Sequence, residues 1–382
     1  MARDIHKSSF DEGTQIKLLI LNEYFKEWLP VFLRARKKYW DRIIIYDFFA
    51  GEGKDVDGTQ GSPLIILSEL KNYCQDILKD KILCHLILNE YDKIKVEILR
   101  NNVTNKLKHC KNYPSCPKTT NEDCTFQITI EDKDFRSLFM EVYKSMKSNP
   151  ELPRFMFLDQ YGIKQITGDV FRKLVELKRT DFIFFISSSF ASRFAEMPEF
   201  KKYLKLSREE FDLNKSFHCH RVIFNYYKQL IPVGTEYYLA PFSIKKGTNI
   251  YGLIFGTNHS LGIEKFLNIC WSINEQTGDA NFDIDNERIN PMEPSLFEQF
   301  DLPNKIQHFQ NQLKQKIRSH ELSSLKQVYR FTFEMGCLPK HANIVIKELQ
   351  QERIVKKQLP LQSRNVHKIQ NVNLIPNEEY KN

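Results

Sequence analysis

The sequence predicts an α/β chain: a doubly wound, Rossmann-like, mostly parallel sheet, followed by a small basic winged helix-turn-helix. Three observations predict it. Short β-branched and aromatic runs alternate with apolar patterns of helical period along the front of the chain. An acidic residue stands just behind each of the first four runs. Positive charge is concentrated at the back: Asp301 to Asn382 holds 14 of the 56 Lys/Arg and 7 of the 48 Asp/Glu, leaving 42 and 41 for the rest. A chain of 382 residues is long enough for two domains, and the charge shift sets them at 1–300 and 301–382.

Thr14 to Trp28 carries Ile16, Leu19, Ile20, Tyr24, Phe25 and Trp28 at helical spacing. Ile43 to Phe49 reads as a buried parallel strand, ended by Gly51-Glu52-Gly53. Ser62 is a good helix cap and Pro63 a good first helical residue. A second strand, Ile82 to Leu88, ends in Asn89-Glu90-Tyr91-Asp92, and a helix follows through Leu107. A third, Phe126 to Ile130, ends in Glu131-Asp132-Lys133-Asp134. The fourth, Phe155 to Leu158, runs into Asp159-Gln160-Tyr161-Gly162, and the fifth, Phe182 to Ile186, into three serines. Glu236–Ile244 and Asn249–Gly256 flank a Lys-Lys-Gly-Thr turn and read as an antiparallel hairpin.

Ligands of open parallel sheets bind beyond the carboxyl ends of the strands. Asp47, Glu90, Asp132 (or Asp134) and Asp159 fall there, as do Gly51 and Gly53, which let the backbone turn close to a ligand. The glycine turn lacks the third glycine of a dinucleotide fingerprint, and no Gly-Lys-Ser/Thr of a P-loop is present. S-adenosylmethionine is the remaining common nucleotide-like ligand. Its cationic sulfonium and ammonium suit Asp47, its ribose hydroxyls Glu90, and its adenine amino group Asp132. Asp159 and Tyr161 are the catalytic candidates: a polar group to orient an amino nitrogen, and a ring to stack a base extruded from nucleic acid. Gln160 stands where amino-group methyltransferases keep proline. The competing readings are acids that only solubilise the sheet's rim and a strand-end turn without chemistry.

Other clusters carry less. Cys110, Cys116 and Cys124 beside His109 have spacings unlike those of zinc sites, and His218-Cys219-His220 has no second ligand pair nearby, so no metal site is expected. Lys201, Lys202, Lys205 and Arg208 read as a solvated helix face or a phosphate contact. Eight thinly spread cysteines and a start without an apolar run favour reduced thiols and a cytoplasmic location, and no window is apolar enough to span a membrane.

In the basic tail, Asn304 to His320 reads as a polar helix. Ser323/Ser324 cap a second helix with Leu325, Val328, Tyr329 and Phe333 on one stripe, which Gly336 ends. Leu338-Pro339 opens a third helix, with Ile344, Ile346 and Leu349 apolar, and Arg353–Lys357 reads as a departing strand. In a winged helix that third helix enters a major groove. Lys340, His341, Asn343 and Lys347 are then its exposed residues, with Lys356 and Lys357 on the wing. Protein contact alone is the alternative use of such a fold.

Asp47-Phe48-Phe49-Ala50-Gly51-Glu52-Gly53, Gly61-Ser62-Pro63, Asn89-Glu90-Tyr91-Asp92, Asp159-Gln160-Tyr161-Gly162 and the stretch Gly336 to Asn343 together resemble the three-Cys-motif partner proteins. The Thr14–Trp28 helix, with Lys17 and Tyr24, is similar to that family's first element. The resemblance covers roughly residues 8–270 and 304–357 and implies a class I methyltransferase-like domain with a winged helix. It also implies a protein partner of radical-SAM type and a bacterial antiviral-defence or mobile-element setting. The family's usual Asp-Pro-aromatic-Gly is departed from at Gln160, which bears on catalysis more than on fold. The expected function is therefore S-adenosylmethionine-dependent methylation of DNA or RNA, with a base nitrogen preferred. The alternatives are an inactive subunit that binds nucleic acid or a protein, and a nuclease with a metal on Asp47, Asp132 and Asp159.

Overall fold

The computed structural model describes residues 8–108, 126–212, 216–289, 303–361, 366–368 and 372–375. The His109, Cys110, Cys116 and Cys124 cluster lies outside them. In chain order the elements are α1 (Glu12–Leu33), β1 (Arg42–Asp47), α2 (Ser62–Asn72), α3 (Cys74–Asp80), β2 (Leu83–Asn89), α4 (Lys93–Lys108), β3 (Phe126–Glu131), α5 (Phe135–Ser148), β4 (Arg154–Leu158), α6 (Gly168–Glu176) and β5 (Thr180–Ile186). Then come α7 (Ser188–Arg193), α8 (Pro198–Lys201), α9 (Arg208–Asp212), α10 (Cys219–Gln229), β6 (Tyr238–Lys246), β7 (Asn249–Thr257), α11 (Ser260–Ile273), α12 (Asn304–Arg318), α13 (Leu325–Glu334) and α14 (Pro339–Gln351).

The seven strands form one sheet in the order β3-β2-β1-β4-β5-β7-β6. β1 to β5 pair in parallel, and β7 runs antiparallel to β5. This is the doubly wound, mostly parallel fold class that the alternation of strand and helix predicts. The order reverses between β1 and β4, so the switch point lies at the carboxyl ends of these two strands. β4 is buried at every residue, as a strand covered on both faces must be.

Two compact units divide the described residues: residues up to Tyr237 with Ser243–Asn258, and Tyr238–Phe242 with His259 onward. In the first, Asp11 caps α1, its carboxylate accepting from the Thr14 N–H at 3.0 Å. The helix runs on through Pro30 to Leu33, past the Trp28 that the apolar spacing marks, because Leu29 and Leu33 continue its buried face. Tyr24, Phe25 and Trp28 pack on Phe155 of β4 with ring centroids 5.6–5.8 Å apart. At α2 the cap is Gly61, not Ser62.

In the second unit, α11, which the periodicity does not single out, buries Ile263, Phe266, Leu267, Cys270 and Trp271. The Trp271 indole N–H donates to the Gly336 carbonyl at 3.0 Å, and the Lys305 ammonium donates to the same carbonyl at 3.1 Å and to Asp279 at 2.6 Å. Gly336, at φ 64°, makes the turn between α13 and α14. Ser324 and Gln327 form a capping box at α13. The strand expected at Arg353–Lys357 does not form. Arg353 is left-handed, at φ 62°, and the Ile354 and Val355 N–H groups both donate to the Leu349 carbonyl, so this stretch closes the end of α14.

Candidate functional site

The acid behind β2 reaches the glycine turn behind β1. Glu90, half-buried, accepts from the Gly51 N–H at 3.1 Å through Oε2 and from the Asp92 N–H at 2.8 Å through Oε1. Each carboxylate oxygen keeps a further lone pair. Gly51 and Gly53 have φ of 60° and 91°, and a Cβ on Gly53 would press on Leu99 and Leu64 at 3.2 and 3.4 Å. The Asn89 amide, buried beside them, donates to the Phe48 and Lys133 carbonyls and accepts from the Lys133 N–H, tying the ends of β1, β2 and β3 together. Asp55 knits the following loop, accepting from the Thr59, Asp57 and Phe10 N–H groups at 2.8–3.0 Å.

Asp47 ends β1 and is fully buried. Its Oδ1 accepts from the Phe49 N–H at 3.3 Å, while Oδ2 has no hydrogen-bond partner among the described residues. Burial drives its carboxyl up to about 7; the charges of Asp159 and Glu90 add to the rise, and the Ser62 hydroxyl and Phe49 N–H oppose it. Asp47 thus sits at the switch point with one oxygen unpartnered and a carboxyl that ionises near neutral pH. Asp132 is exposed on the rim, whereas Asp134 is committed to capping α5, accepting from the Ser137 N–H at 3.1 Å.

The β4–β5 side is built differently. A cleft of about 170 Å³ is lined by Lys17, Asp159, Tyr161, Phe185, Tyr251 and Lys246, among others. The Lys17 ammonium, nearly buried, is ion-paired with Asp159 and sits 4.6 Å from the centre of the Phe185 ring. Tyr161 is 74% exposed. Gln160 is 1% exposed: its amide N–H donates to the Phe185 carbonyl at 3.1 Å, and its oxygen accepts from the Gln165 and Ile166 N–H groups at 2.9 and 3.2 Å. The glutamine that replaces proline thus fastens the loop by hydrogen bonds where a ring would stiffen it. The Lys17–Asp159 pair, 142 positions apart, is the element that local pattern missed.

Asp47, Asp132 and Asp159 do not assemble as a metal site; among the described residues no group of three His, Cys, Asp or Glu could hold one. His220 spends both ring nitrogens on the protein, Nε2 donating to the Leu253 carbonyl at 3.0 Å and Nδ1 accepting from the Ser188 hydroxyl at 2.9 Å. Burial pulls it down to about 4.

On α14, Lys340, Ile344 and Lys347 are exposed at i, i+4 and i+7, and Gln351 continues the stripe. His341, expected on that face, is buried: its Nδ1 accepts from the Leu338 N–H at 3.2 Å and its ring lies 4.6 Å from Trp271. Burial pulls it down to about 4, and the charges of Lys340 and Lys305 add to the fall. Asn343 is also occupied, accepting from the Tyr329 hydroxyl at 2.8 Å and donating to the Leu361 carbonyl at 3.2 Å. Of the apolar residues of this helix, Ile344 is exposed, and Val345, Ile346 and Leu349 are buried. Lys356 is half-buried and Lys357 exposed, on irregular backbone instead of a wing strand, the Lys356 N–H donating to the Leu374 carbonyl at 2.9 Å.

Among the described residues no helix is long and apolar enough to cross a membrane. Residues 281–360 match the GMT-like wHTH domain model. No curated protein matches the chain. Among solved structures it is similar to Trm1 from Pyrococcus horikoshii in complex with S-adenosyl-L-methionine, at 10% identity and a TM-score of 0.37, over 68% of this chain and 59% of that one. It is similar to the human methyltransferase 10 domain containing protein, at 11% identity and a TM-score of 0.30, over 63% of this chain and 83% of that one. A third similarity is to precorrin-6y C5,15-methyltransferase from Geobacter metallireducens, at 8% identity and a TM-score of 0.28, over 66% of this chain and 95% of that one. The chain is thus a doubly wound α/β protein whose C-terminal part is a GMT-like winged helix-turn-helix.

Proposed function

We propose that the chain binds S-adenosylmethionine at the ends of β1 and β2 and methylates nucleic acid, with a base nitrogen as the preferred acceptor. The observation that carries this reading is the Glu90 carboxylate, aimed by the Gly51 and Asp92 N–H groups and still holding free lone pairs. Such a carboxylate suits a pair of ribose hydroxyls, and the positive-φ turn at Gly51 and Gly53 keeps side chains out of the space above it. When bound, the donor supplies a methyl group on a cationic sulfonium. Asp47 would meet that positive charge, ionising as it does so, and Asp132 lies on the rim where a base amino group fits. Asp159 would hold the acceptor nitrogen, and the exposed Tyr161 ring would stack on its base. Lys340, Lys347 and Lys357 would contact phosphates, whereas His341 and Asn343 have no free side chain for it.

A second reading has its own support. Lys17 already neutralises Asp159, which suits a subunit that keeps the donor pocket and the winged helix but does not turn over. The resemblance to three-Cys-motif partner proteins supports a protein partner of radical-SAM type and a defence setting under either reading, and the thinly spread cysteines support a cytoplasmic location. Incubation with tritiated S-adenosylmethionine and single- or double-stranded DNA and RNA separates the two. The enzyme labels one of these polymers, and Tyr161→Ala lowers labelling at least tenfold without changing donor affinity. Donor binding with no labelled polymer supports the inactive subunit.

A further inference from the structure

At the opposite, amino-terminal end of the parallel strands, Arg154 opens β4 and is 1% exposed. Its Nη1 donates to the Leu152 carbonyl at 3.1 Å and its Nη2 to the Asn149 carbonyl, both in the turn that follows α5. Nε has no partner, so three of the five guanidinium N–H bonds are unused. Among the described residues no carboxylate lies within ion-pair distance of it. A buried charge normally has a partner.

Arg154 lines a cavity of about 300 Å³ formed by the first residues of β1, the last turn of α5 and the start of β4. Tyr46, Ser145 and Asn149 add polar groups to its wall. Arg42, Asp41 and Glu151 face it as well, two acids against one further cation. All three are exposed to solvent, where their charges are screened, whereas that of Arg154 is not. Burial pulls the guanidinium below its usual range; the Tyr46 and Glu151 charges oppose this, and the group remains a cation.

We propose that this cavity binds a small oxyanion, a carboxylate or a phosphate group, through Arg154. The unused guanidinium N–H donors suit an anionic oxygen, and Tyr46 and Ser145, each with a hydroxyl, line the same cavity. The site stands apart from the strand carboxyl ends and does not depend on methyl transfer.

Calorimetric titration of the full chain with sodium phosphate and with sodium acetate, each against sodium chloride at matched ionic strength, tests it. One saturable site per chain for at least one of these anions is expected. Arg154→Gln should weaken it at least tenfold, and Tyr46→Phe and Ser145→Ala each several-fold. Phosphate alone or acetate alone tells which oxyanion geometry the cavity takes, and either supports the site. No saturable binding of either anion overturns it. So does binding that survives unchanged in Arg154→Gln or, should that variant fail to fold, in both Tyr46→Phe and Ser145→Ala.

Discussion

The two halves of the strand-end rim solve the placement of a carboxylate in different ways. Behind β1 and β2, Glu90 is held by backbone N–H groups and faces no cation in its hydrogen bonds, so its charge is available to a ligand. Behind β4, Asp159 is held by the Lys17 ammonium, so its charge is already spent. Backbone donors orient a carboxylate without cancelling it, whereas a side-chain cation does both. The first half leaves a carboxylate without a cation in its hydrogen bonds; the second is an aromatic-walled cleft in which Lys17 already occupies the carboxylate.

The largest effect that sharpens this contrast concerns Asp47. An unfolded aspartate ionises near 4 and the folded one near 7. Between these values the folded state holds the extra proton, so stability falls as pH rises from about 4 to about 7 and levels off above. The loss due to this one group is on the order of 4 kcal/mol. Asp181, pushed up to about 6 by burial despite hydrogen bonds from Thr257 and Tyr24, adds a decline of the same sign that ends sooner. Urea midpoints from pH 4 to 8 should therefore flatten in Asp47→Asn, most clearly between 6 and 7. Equal slopes in both proteins would show that Asp47 is not held neutral.

Next in size, Glu90→Ala should weaken S-adenosylmethionine binding on the order of a hundredfold, two charge-assisted hydrogen bonds being lost, while Asp159→Ala should change it little. Equal losses would erase the distinction between the halves. Lys17→Met should cost about 2 kcal/mol of stability in denaturant melts by stranding a largely buried carboxylate, and it should leave donor affinity within about threefold. In the other unit, Lys340→Glu with Lys347→Glu should lower the slope of log affinity for nucleic acid against log salt by about 2. An unchanged slope would move the phosphate contacts off α14.

Much of the frame was legible in the sequence. Strands buried on both faces are written as unbroken apolar runs, as residues 155–158 of β4 and 182–186 of β5 are, whereas the half-exposed β3 interleaves Gln127 and Thr129 with its apolar residues. The glycine turn and the acid after β2 were legible because turn chemistry and strand-end placement are local. What stayed hidden depends on distant partners. Nothing near Lys17 announces Asp159, and nothing near Asp47 announces that Ser62 and the sheet would seal it from water. On α14 two neighbouring apolar residues, Ile344 and Val345, compete for one core position, and periodicity cannot choose between them. The choice falls to the helix start at Pro339 and to the bond between the His341 ring and the Leu338 N–H. The Ile354-Val355 pair reads as a strand, but the open carbonyls at the end of α14 claim its N–H groups.

The proposed role of the Gly51–Glu90 turn is to receive a cationic methyl donor. Calorimetric titration of the full chain with S-adenosylmethionine at pH 6, in two buffers of different ionisation enthalpy, tests it directly. One site per chain is expected, with the release of most of one proton as Asp47 ionises against the donor. Absence of binding, or binding without proton release, would contradict it.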